Sequence, residues 1–489
     1  MNGTPIIEKA AAALKAGAVM TDPAGLAVLR PDNPLIDGCV PPVGVVRPEN
    51  AGELGKLLAC ANENAMNLCV VSSAGSHYHG TFASDREHLL VDLSSWQGIP
   101  WINRRNRVCL IEPGVTYGQL LAALDPEGLT VSMPLAPPAG KSVLAACLDR
   151  EPSTWPNKQW DIGDPVASTE FYFGGGQRFR TGAAGGPGSL EAQRAAGGAQ
   201  KCPTGPSQTD FHRVIQGAQG TMGIVTWMTI RAEIKPTIQK PFLLVDDNPG
   251  RLVSFVYAAQ RPGLGEHSFI VNRICAAMLI NAARRGKKPC PAESLPEYIC
   301  LQNIAGFEVL PKERVAYQVE DIREKSRQAG LKMKRSLRRI SADEFLGIAT
   351  RPCGDSDWRR QPTGDYLSVF FLTTLDRTEE LIGVFESIAG SCGFGRDAVG
   401  IYIQPVTQNH ACHMEFIVPY DRQRDIDAAR KLEQESTAAL MENGAFFSRP
   451  YLSAGNRVLC RNPQNLTVLK KIKDIFDPNR VLNRGKWGL

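Results

Sequence analysis

The stretch GAQGTMGIVT (217–226) decides the fold of this chain. Gly220 and Gly223 flank two of its residues, and the β-branched run Ile224-Val225-Thr226 follows at once. Glycine is needed where the backbone takes a positive φ or approaches a ligand closely, and β-branched residues favour strands. The stretch therefore predicts a tight turn that leads directly into a strand. A glycine-rich strand entry without any ligand is the alternative at this point.

Three further segments accompany this turn. They are VVRPENAGELGKLLACANENAMNLCVVSSAGSHYHG (45–80), LLVDLSSWQGI (89–99) with VCLIEPGVTYGQLLAAL (108–124), and IFDPNRVLNRGKWGL (475–489). Together with the turn, and in this order, they resemble the signature segments of the vanillyl-alcohol oxidase / p-cresol methylhydroxylase flavoprotein superfamily. Ala218, Gln219 and Arg484 depart from the residues that are usual there.

The resemblance implies an α+β fold with a discontinuous FAD-binding domain of the p-cresol methylhydroxylase type, residues 1–235 plus 455–489. Residues 236–454 are then a cap or substrate domain, built on an antiparallel sheet with helices on one face. A length of 489 residues fits two domains, because one hydrophobic core seldom organises so long a chain. Residues 182–207 are low in complexity and predict a mobile surface insertion.

Composition excludes several classes of protein. The net charge of +5 is small for this length, and nucleic-acid binding would need a clustered basic face. No apolar run approaches the roughly 20 residues that span a bilayer. Charged residues at positions 8, 9 and 15 favour a short amphipathic helix over a signal peptide. We therefore expect a cytoplasmic protein without a membrane span.

Thirteen cysteines are scattered along the chain, and no two have a CxxC spacing. Iron–sulfur and structural zinc sites usually draw their ligands from such short runs. The pattern predicts reduced, mostly buried thiols and no metal site. If electrons leave through an iron–sulfur cluster or a cytochrome, another subunit carries that centre.

The loop SSAGSHYHG (72–80) is the first candidate for cofactor binding. Its short side chains let backbone N–H groups approach the two phosphates of FAD. In covalently flavinylated members of the family, a histidine of this loop is attached to the flavin. Ser76 occupies that place here and His77 follows it. We therefore predict non-covalent FAD, with attachment through His77 as the alternative.

The resemblance gives a full set of residues expected near the cofactor. Plain turns, and a helix cap at Ser142, are the alternatives for several of them. The set comprises Ser72, Ala74, Gly75, Ser76, His77, Tyr78, Pro113, Gly114, Val115, Pro134, Ser142, Gly220, Gly223, Ile224, Val225 and Asn483.

The segment QPVTQNHACHMEF (404–416) holds the candidate catalytic residues of the cap. Because side chains alternate along a strand, His413 and Glu415 share one face, and Tyr402 shares a face with Gln404 in the preceding segment. Histidine is the commonest base at neutral pH, so His413 is the predicted base, with Glu415 to orient it and Tyr402 to hydrogen-bond the substrate. The alternative is a polar strand that faces solvent or another subunit.

Arg449 follows a glycine turn and is the fourth candidate catalytic residue. Its guanidinium suits bidentate binding of a carboxylate. A surface arginine is the alternative. His410 falls on the opposite face of a regular strand from His413, which argues against a metal site there.

The function implied is an FAD-dependent dehydrogenase that takes hydride from an alcohol, a hydroxy acid or a phenolic benzylic substrate and passes electrons to a partner protein. A 2-hydroxy-acid dehydrogenase of the lactate or glycolate type is an alternative, although the motif HxGDGNxH is missing. An oxidase that uses oxygen is another. The alternative of a different class is an electron-transfer or structural subunit of a larger complex. A homo- or hetero-oligomer is expected.

Overall fold

The structure is a computed structural model that describes residues 4–15, 17–27, 29, 31–75, 77–80, 82–161, 163–206, 211–354, 356–361 and 364–489. The strands are β1 (Val19–Met20), β2 (Gly44–Val46), β3 (Leu68–Val71), β4 (Leu89–Asp92), β5 (Trp101–Asn103), β6 (Val108–Ile111), β7 (Leu129–Thr130), β8 (Val166–Phe173), β9 (Arg178–Arg180), β10 (Gly223–Arg231), β11 (Glu233–Ile234), β12 (Ile238–Asp246), β13 (Ser268–Asn272), β14 (Tyr298–Gly306), β15 (Asp365–Thr373), β16 (Gly400–Val406) and β17 (Ala411–Tyr420).

The helices are α1 (Thr4–Ala13), α2 (Pro23–Ala27), α3 (Ala51–Glu63), α4 (Tyr117–Leu124), α5 (Val143–Leu148), α6 (Leu190–Ala195), α7 (His212–Ile215), α8 (Pro249–Gln260), α9 (Arg273–Ala283), α10 (Pro311–Gln328), α11 (Ala342–Ala349), α12 (Thr378–Ser391), α13 (Arg422–Glu442), α14 (Ser453–Cys460) and α15 (Pro463–Phe476). Short 3₁₀ turns occupy Asp125–Glu127, Pro156–Lys158, Gly182–Gly185, Ala292–Ser294, Leu375–Arg377, Arg396–Ala398, Thr407–Asn409 and Lys486–Gly488.

The first sheet has the order β1-β2-β4-β3, in which β4 is parallel to both of its neighbours. Helix α3 connects β2 to β3, because parallel strands need a crossover. It begins at Asn50, whose side chain accepts a hydrogen bond from the Glu53 N–H. Its apolar stripe, which includes Leu54 and Leu58, is fully buried. The sheet thus delivers the loop that follows β3.

The second sheet is antiparallel, with the order β5-β6-β10-β8-β9. The glycine turn at 217–223 leads directly into β10, the central strand, as the sequence predicts. Its first residue, Gly223, pairs with Phe173 at the end of β8. The predicted hairpin around the triple glycine 174–176 is also present, because β8 and β9 pair antiparallel.

The third sheet is antiparallel, with the order β12-β14-β13-β16-β17-β15. Its side chains alternate between two faces. One face packs against α8, α10, α12 and α13 and forms the largest hydrophobic core. The other face is partly covered by α9 and α11, which are additional to the single helical layer that the sequence predicts. The rest of this second face carries the polar residues of β15, β16 and β17.

The chain returns to the first sheet at its C-terminal segment. The Leu68 N–H donates to the Val481 carbonyl at 2.7 Å, and the Asn483 N–H donates to the Leu68 carbonyl at 2.9 Å. The predicted α+β architecture with antiparallel sheets is therefore confirmed. The boundaries 1–235 plus 455–489 and 236–454 stay a prediction, with which this return of the chain agrees.

Most of the segment 182–206 is exposed, as predicted for a surface insertion, but parts of it pack against the second sheet. Gly182 and Ala184 are buried, and Leu190 on α6 packs in a small cluster with Trp227 and Leu110. The segment therefore lies on the surface and is attached to β10 at a few points, which its composition did not predict. Ser207 lies outside the described residues.

Eight of the thirteen cysteines are buried, which agrees with the predicted mostly buried thiols. In the described parts of the chain, no helix has the length and apolar character needed to cross a membrane.

Candidate functional site

A cavity of about 230 Å³ lies where the polar face of the third sheet meets the loops of the first two sheets. The predicted residues Tyr402, His413, Glu415 and Arg449 all line it. Nine of the predicted cofactor residues line it as well, namely Ser72, His77, Tyr78, Pro113, Pro134, Gly220, Gly223, Ile224 and Val225. The fold thus brings together the two groups that the sequence separates by about two hundred residues.

Other predicted cofactor residues lie elsewhere. Ala74 and Gly75 are exposed and do not line the cavity. Gly114 and Val115 stand behind its wall, where a Cβ on Gly114 would lie 2.2 Å from the Ser94 carbonyl oxygen. Asn483 lines a second cavity and donates to the Gln219 carbonyl at 2.6 Å. Ser76 falls outside the residues that the structure describes.

Ser142 is fully buried and joins three segments of the wall. Its hydroxyl donates to the Pro113 carbonyl at 2.5 Å and caps α5 by accepting from the Ala145 N–H. Its own N–H donates to the Ser73 hydroxyl at 3.0 Å. The helix-cap alternative therefore describes the observed contacts of Ser142, which hold the loop after β3 against the start of α5.

The glycine turn meets the C-terminal tail closely. Gly220 has a φ of +74°, and a Cβ there would lie 2.8 Å from Asn483 Nδ2. At Gly223, a Cβ would lie 2.9 Å from the Tyr172 carbonyl oxygen. Both positions exclude side chains for steric reasons, so the backbone itself forms this part of the cavity wall.

His413 and Glu415 project from β17 into the cavity, while Cys412 and Met414 point into the helical core on the other side. Glu415 is held by Arg359, whose Nε and Nη2 each donate to one carboxylate oxygen at 2.7 Å. The Ser368 hydroxyl donates to the same carboxylate at 2.6 Å. The His413 Nε2 lies 3.8 Å from Glu415, which is longer than a hydrogen bond.

These contacts determine the protonation states of His413 and Glu415. Burial lowers the pKa of His413 to about 4, with Arg449 and Arg359 adding to the effect and Glu415 opposing it. Burial alone would raise the pKa of Glu415, but the Arg359 guanidinium keeps it well below its usual value. At neutral pH the imidazole is therefore neutral and the carboxylate is charged.

Tyr402 stands on β16 beside this pair. Its ring lies edge-on to His413 with centroids 5.6 Å apart. Its hydroxyl donates to Gln404 Oε1 at 2.8 Å, and the Gln404 amide donates to the Ser268 carbonyl at 3.0 Å. Burial raises the pKa of Tyr402 well above its usual value. The phenol is thus a fixed neutral group of the cavity wall.

A second polar cluster lies around Arg449. Its Nη1 is 3.5 Å from Asp149, and its guanidinium lies 4.2 Å from the centroid of Phe370. The hydroxyl of Tyr451 also donates to Asp149. Burial raises the pKa of Asp149, and Arg449 opposes that effect. Arg449 is only 7% exposed, so it is not a surface arginine.

Lys141 and Glu151 complete this cluster as a pair whose Nζ and Oε1 are 2.5 Å apart. The pKa of Lys141 is raised, because Glu151 and Asp149 outweigh the effect of burial. His79 stacks on Tyr451 with ring centroids 4.6 Å apart.

Sequence reasoning missed Arg359, Asp149, Glu151, Ser368 and His79 as residues of the cavity. A signal was present only for Ser368, because it alternates with buried apolar residues on β15. The others lie in loops or short turns, where no periodicity assigns a direction to a side chain.

A second cavity of about 480 Å³ adjoins the first and shares four of its lining residues, His79, Gly80, Gln219 and Tyr451. Its other walls come from residues 35–39, 83–85 and 450–455, from helix α13 and from the C-terminal tail. Across the described ranges, no group of three His, Cys, Asp or Glu residues is placed to hold a metal ion.

A family model for an FAD-binding domain matches residues 42–182. Two solved structures have nearly the same extent as this chain. A 4-ethylphenol oxidase from Gulosibacter chungangensis, in an isoeugenol complex, has a TM-score of 0.81 and 17% identity, with 99% of this chain and 97% of that chain covered. A p-cresol methylhydroxylase with substrate bound has a TM-score of 0.80 and 18% identity, with 100% and 98% covered.

An alkyldihydroxyacetonephosphate synthase is more distant, with a TM-score of 0.70, 13% identity and coverage of 98% and 85%. A curated relative, the mitochondrial D-lactate dehydrogenase [cytochrome] of Arabidopsis thaliana, is 24% identical over 192 residues. That match covers 39% of this chain and 30% of the relative, so the chain spans less than a third of the relative's length.

The matched domain and the cavity define the class of this protein, a flavoprotein with FAD as its cofactor. Within that class, the chain has the fold of the p-cresol methylhydroxylase-type flavoproteins, and the resemblance predicted from its signature segments is confirmed.

The residues present fit FAD. Backbone at Gly220 and Gly223, and the small residues Ser72 and Ser73, leave space along the cavity where a long ligand can lie close to the main chain. These residues and the loop after β3 would hold FAD, and its ring system supplies a hydride acceptor when it is bound.

Proposed function

We propose that the protein is an FAD-dependent oxidoreductase that oxidises a hydroxyl-bearing or para-alkylphenol-type substrate by hydride transfer. Residues 1–235 plus 455–489 bind FAD, and residues 236–454 form the cap that holds the substrate. One observation carries the proposal: a neutral His413, an anionic Glu415 and a phenol from Tyr402 face the cavity to which the FAD-binding segments also contribute.

The chain's own residues account for the proton. When hydride leaves the hydroxyl-bearing carbon of an alcohol, or the benzylic carbon of a para-alkylphenol, the proton of the hydroxyl group must go to a base, and the product is a carbonyl compound or a quinone methide. His413 accepts it at a ring nitrogen. Glu415, 3.8 Å away, then stabilises the imidazolium by its charge. The side chains of His413 and Glu415 are each only 3% exposed, which limits the access of water to this transfer.

Aromatic substrates fit the cavity better than carboxylates. Phe370, Tyr366 and Tyr402 give it an aromatic side. Each arginine and lysine among the described lining residues lies within 3.5 Å of a carboxylate, namely Arg359 with Glu415, Arg449 with Asp149 and Lys141 with Glu151. A substrate carboxylate would therefore have to compete with a protein carboxylate for its cation. The names of the two similar structures, a 4-ethylphenol oxidase and a p-cresol methylhydroxylase, agree with this substrate class.

A 2-hydroxy acid is the second candidate substrate. The contact between Arg449 and Asp149 is long at 3.5 Å, and burial raises the pKa of Asp149, which favours its uncharged form. Arg449 would then be available to a substrate carboxylate. The partial match to a D-lactate dehydrogenase points the same way.

Anaerobic mixing of the purified flavoprotein with substrates tests the proposal. We expect 4-alkylphenols to bleach the flavin absorbance near ~450 nm, since reduced flavin loses this band. Bleaching by lactate or glycolate alone would establish the second candidate. If neither class reduces the flavin and only a protein partner does, the chain is an electron-transfer subunit. The same reduced protein, offered oxygen or a cytochrome, identifies the acceptor and any partner subunit.

A further inference from the structure

We propose that Arg359 is a positioning residue that leaves His413, and not Glu415, as the proton acceptor of the cavity. The inference rests on the proposed function, because the acceptor matters only for a substrate that loses a proton. Arg359 lies in the loop before β15, next to the aromatic ring of Trp358, and it reaches the cavity from outside the strands that carry the other polar residues.

Both carboxylate oxygens of Glu415 already accept hydrogen bonds from side chains of the protein. Arg359 donates to both oxygens at 2.7 Å, and the Ser368 hydroxyl donates to one of them at 2.6 Å. A carboxylate bound by a two-point guanidinium contact is held strongly as an anion. Glu415 is therefore a poor proton acceptor despite its position in the cavity wall.

Arg359 is itself held in place. Its Nη1 donates to Asp357 at 3.2 Å, and its guanidinium lies 4.3 Å from the centroid of the Trp358 ring. The side chain is 19% exposed. A planar cation fixed by two carboxylates and an aromatic ring keeps one orientation, so the charge that it places beside Glu415 does not move.

His413 experiences charges from several elements. Glu415 lies on the same strand, and the neutral phenol of Tyr402 comes from β16. The uncharged ring of Phe370, on β15, lies with its centroid 6.0 Å from the centroid of the His413 ring. Arg359 from its loop and Arg449 from the segment after α13 both lower the pKa of His413, and Asp149 partly offsets the charge of Arg449.

The direction of the effect follows from these contacts. In the native protein, burial, with Arg449 and Arg359 adding to it, lowers the pKa of His413 to about 4, so the imidazole stays neutral down to about that pH. Without Arg359, the unpaired Glu415 anion shares a proton with His413 at higher pH, because opposite charges in a buried pair favour the protonated imidazole. The neutral acceptor is then lost at a pH where the native protein still has it.

NMR of the histidine side chains measures the protonation of His413 directly, without any substrate. We would label the seven histidines, assign the His413 signal through His413→Gln, and titrate the FAD-loaded protein. We expect Arg359→Met to move the midpoint of the His413 titration upward by roughly one pH unit or more. The acid limb of the rate of flavin reduction should move by the same amount. Arg359→Lys, which keeps the charge, should leave the midpoint near that of the native protein.

Arg360→Met is the matched control. Arg360 is the next residue of the same loop and donates to the Asp32 carbonyl at 3.1 Å, but it makes no contact with Glu415. Its removal should leave the titration unchanged. The double variant Arg359→Met/Glu415→Gln should bring the midpoint back to the native value or below it, because the unpaired anion is gone. If Arg359→Met does not fold, Arg359→Gln replaces it, and we expect the same upward shift of the His413 midpoint.

An unchanged His413 midpoint in folded Arg359→Met or Arg359→Gln would overturn the inference. So would a double variant that keeps the upward shift. Failure of the proposed function looks different. In that case no substrate reduces the native flavoprotein, while the NMR titration still reports on Arg359.

Discussion

Lys473 and Asp477 form an ion pair with an Nζ–Oδ2 distance of 2.5 Å, and neither side chain is exposed to solvent. Lys473 also donates to the carbonyls of Thr221 and Leu482. Asp477 accepts hydrogen bonds from the N–H groups of Val481 and Leu482. One buried pair therefore connects the C-terminal tail to the glycine turn that begins β10.

Lys473→Met should lower the free energy of unfolding by about 3–5 kcal/mol, because it leaves a buried carboxylate unpaired. It should also reduce the FAD content, since Thr221 loses the contact that positions the turn. Thermal denaturation and the ratio of flavin to protein measure the two effects. Lys471→Met is the control, because Lys471 is exposed on the same helix. Equal stability of the two variants would contradict the role of the pair.

Gly223→Val should yield protein with little flavin. The new side chain meets the Tyr172 carbonyl oxygen at 2.9 Å and Ile215 at 3.0 Å, and such overpacking costs about 1–3 kcal/mol. Gly383→Val is the matched control, because that glycine lies on α12 with nothing within 4 Å of its Cβ. Full flavin content in Gly223→Val would show that the turn tolerates a branched side chain.

Acid or heat should release the flavin, at one FAD per chain, and leave the denatured polypeptide colourless. Ser76 stands where the family's attached histidine stands, and His77 lies against the ring of Phe82 at 5.1 Å. Flavin fluorescence that stays with the protein on a denaturing gel would instead show a covalent link. His77→Ala would then have to abolish that fluorescence if His77 were the point of attachment.

His413→Ala should slow the reduction of flavin by about 10²–10⁴-fold and leave the FAD content intact, as expected for loss of a general base. Tyr402→Phe should have a smaller effect, because only one hydroxyl is lost. His410→Ala is the control, since His410 is exposed beyond the end of β16. Stopped-flow measurements with a 4-alkylphenol give the rates, and a native rate in His413→Ala would place the base elsewhere.

Stability should fall as the pH drops from about 6.5 towards 4. Burial lowers the pKa values of His267 and His413 to about 4, so the unfolded chain binds protons in this range and the folded chain does not. Each of the two histidines then lowers the free energy of unfolding by up to about 1.4 kcal/mol for each unit by which the pH falls. Denaturant midpoints at pH 7 and pH 5 measure the slope. His267→Gln should reduce that slope by one proton's contribution, and a slope equal to the native one would contradict the assignment.

The sequence predicted those parts of the site that lie on regular strands. Strand alternation put His413 on the same face as Glu415, and Tyr402 on the same face as Gln404, because a period of two assigns each side chain a direction. The same rule says nothing about Arg359, which reaches Glu415 from a loop. Nor does it show that Asp149 stands beside Arg449, because a contact between residues 300 positions apart depends on the packed tertiary structure.

The signature segments predicted the fold for a different reason. The glycines at 220 and 223 are required by contacts with Asn483 and Tyr172 that any side chain would break. Such steric requirements restrict these positions to glycine, so they can be recognised in the sequence. Segment 182–207 has no comparable signature in its sequence, and its packing against Trp227 comes from two small contacts, Ala184 and Leu190.

The return of the tail to β3 has a consequence for synthesis on the ribosome. Leu68 makes its backbone hydrogen bonds with Val481 and Asn483, which emerge from the ribosome only after the whole third sheet. Domains generally fold as they are made, but the first sheet must wait for residues 481–483. The tail therefore cannot join β3 until residues 481–483 have been made, and the six-stranded sheet has time to form first.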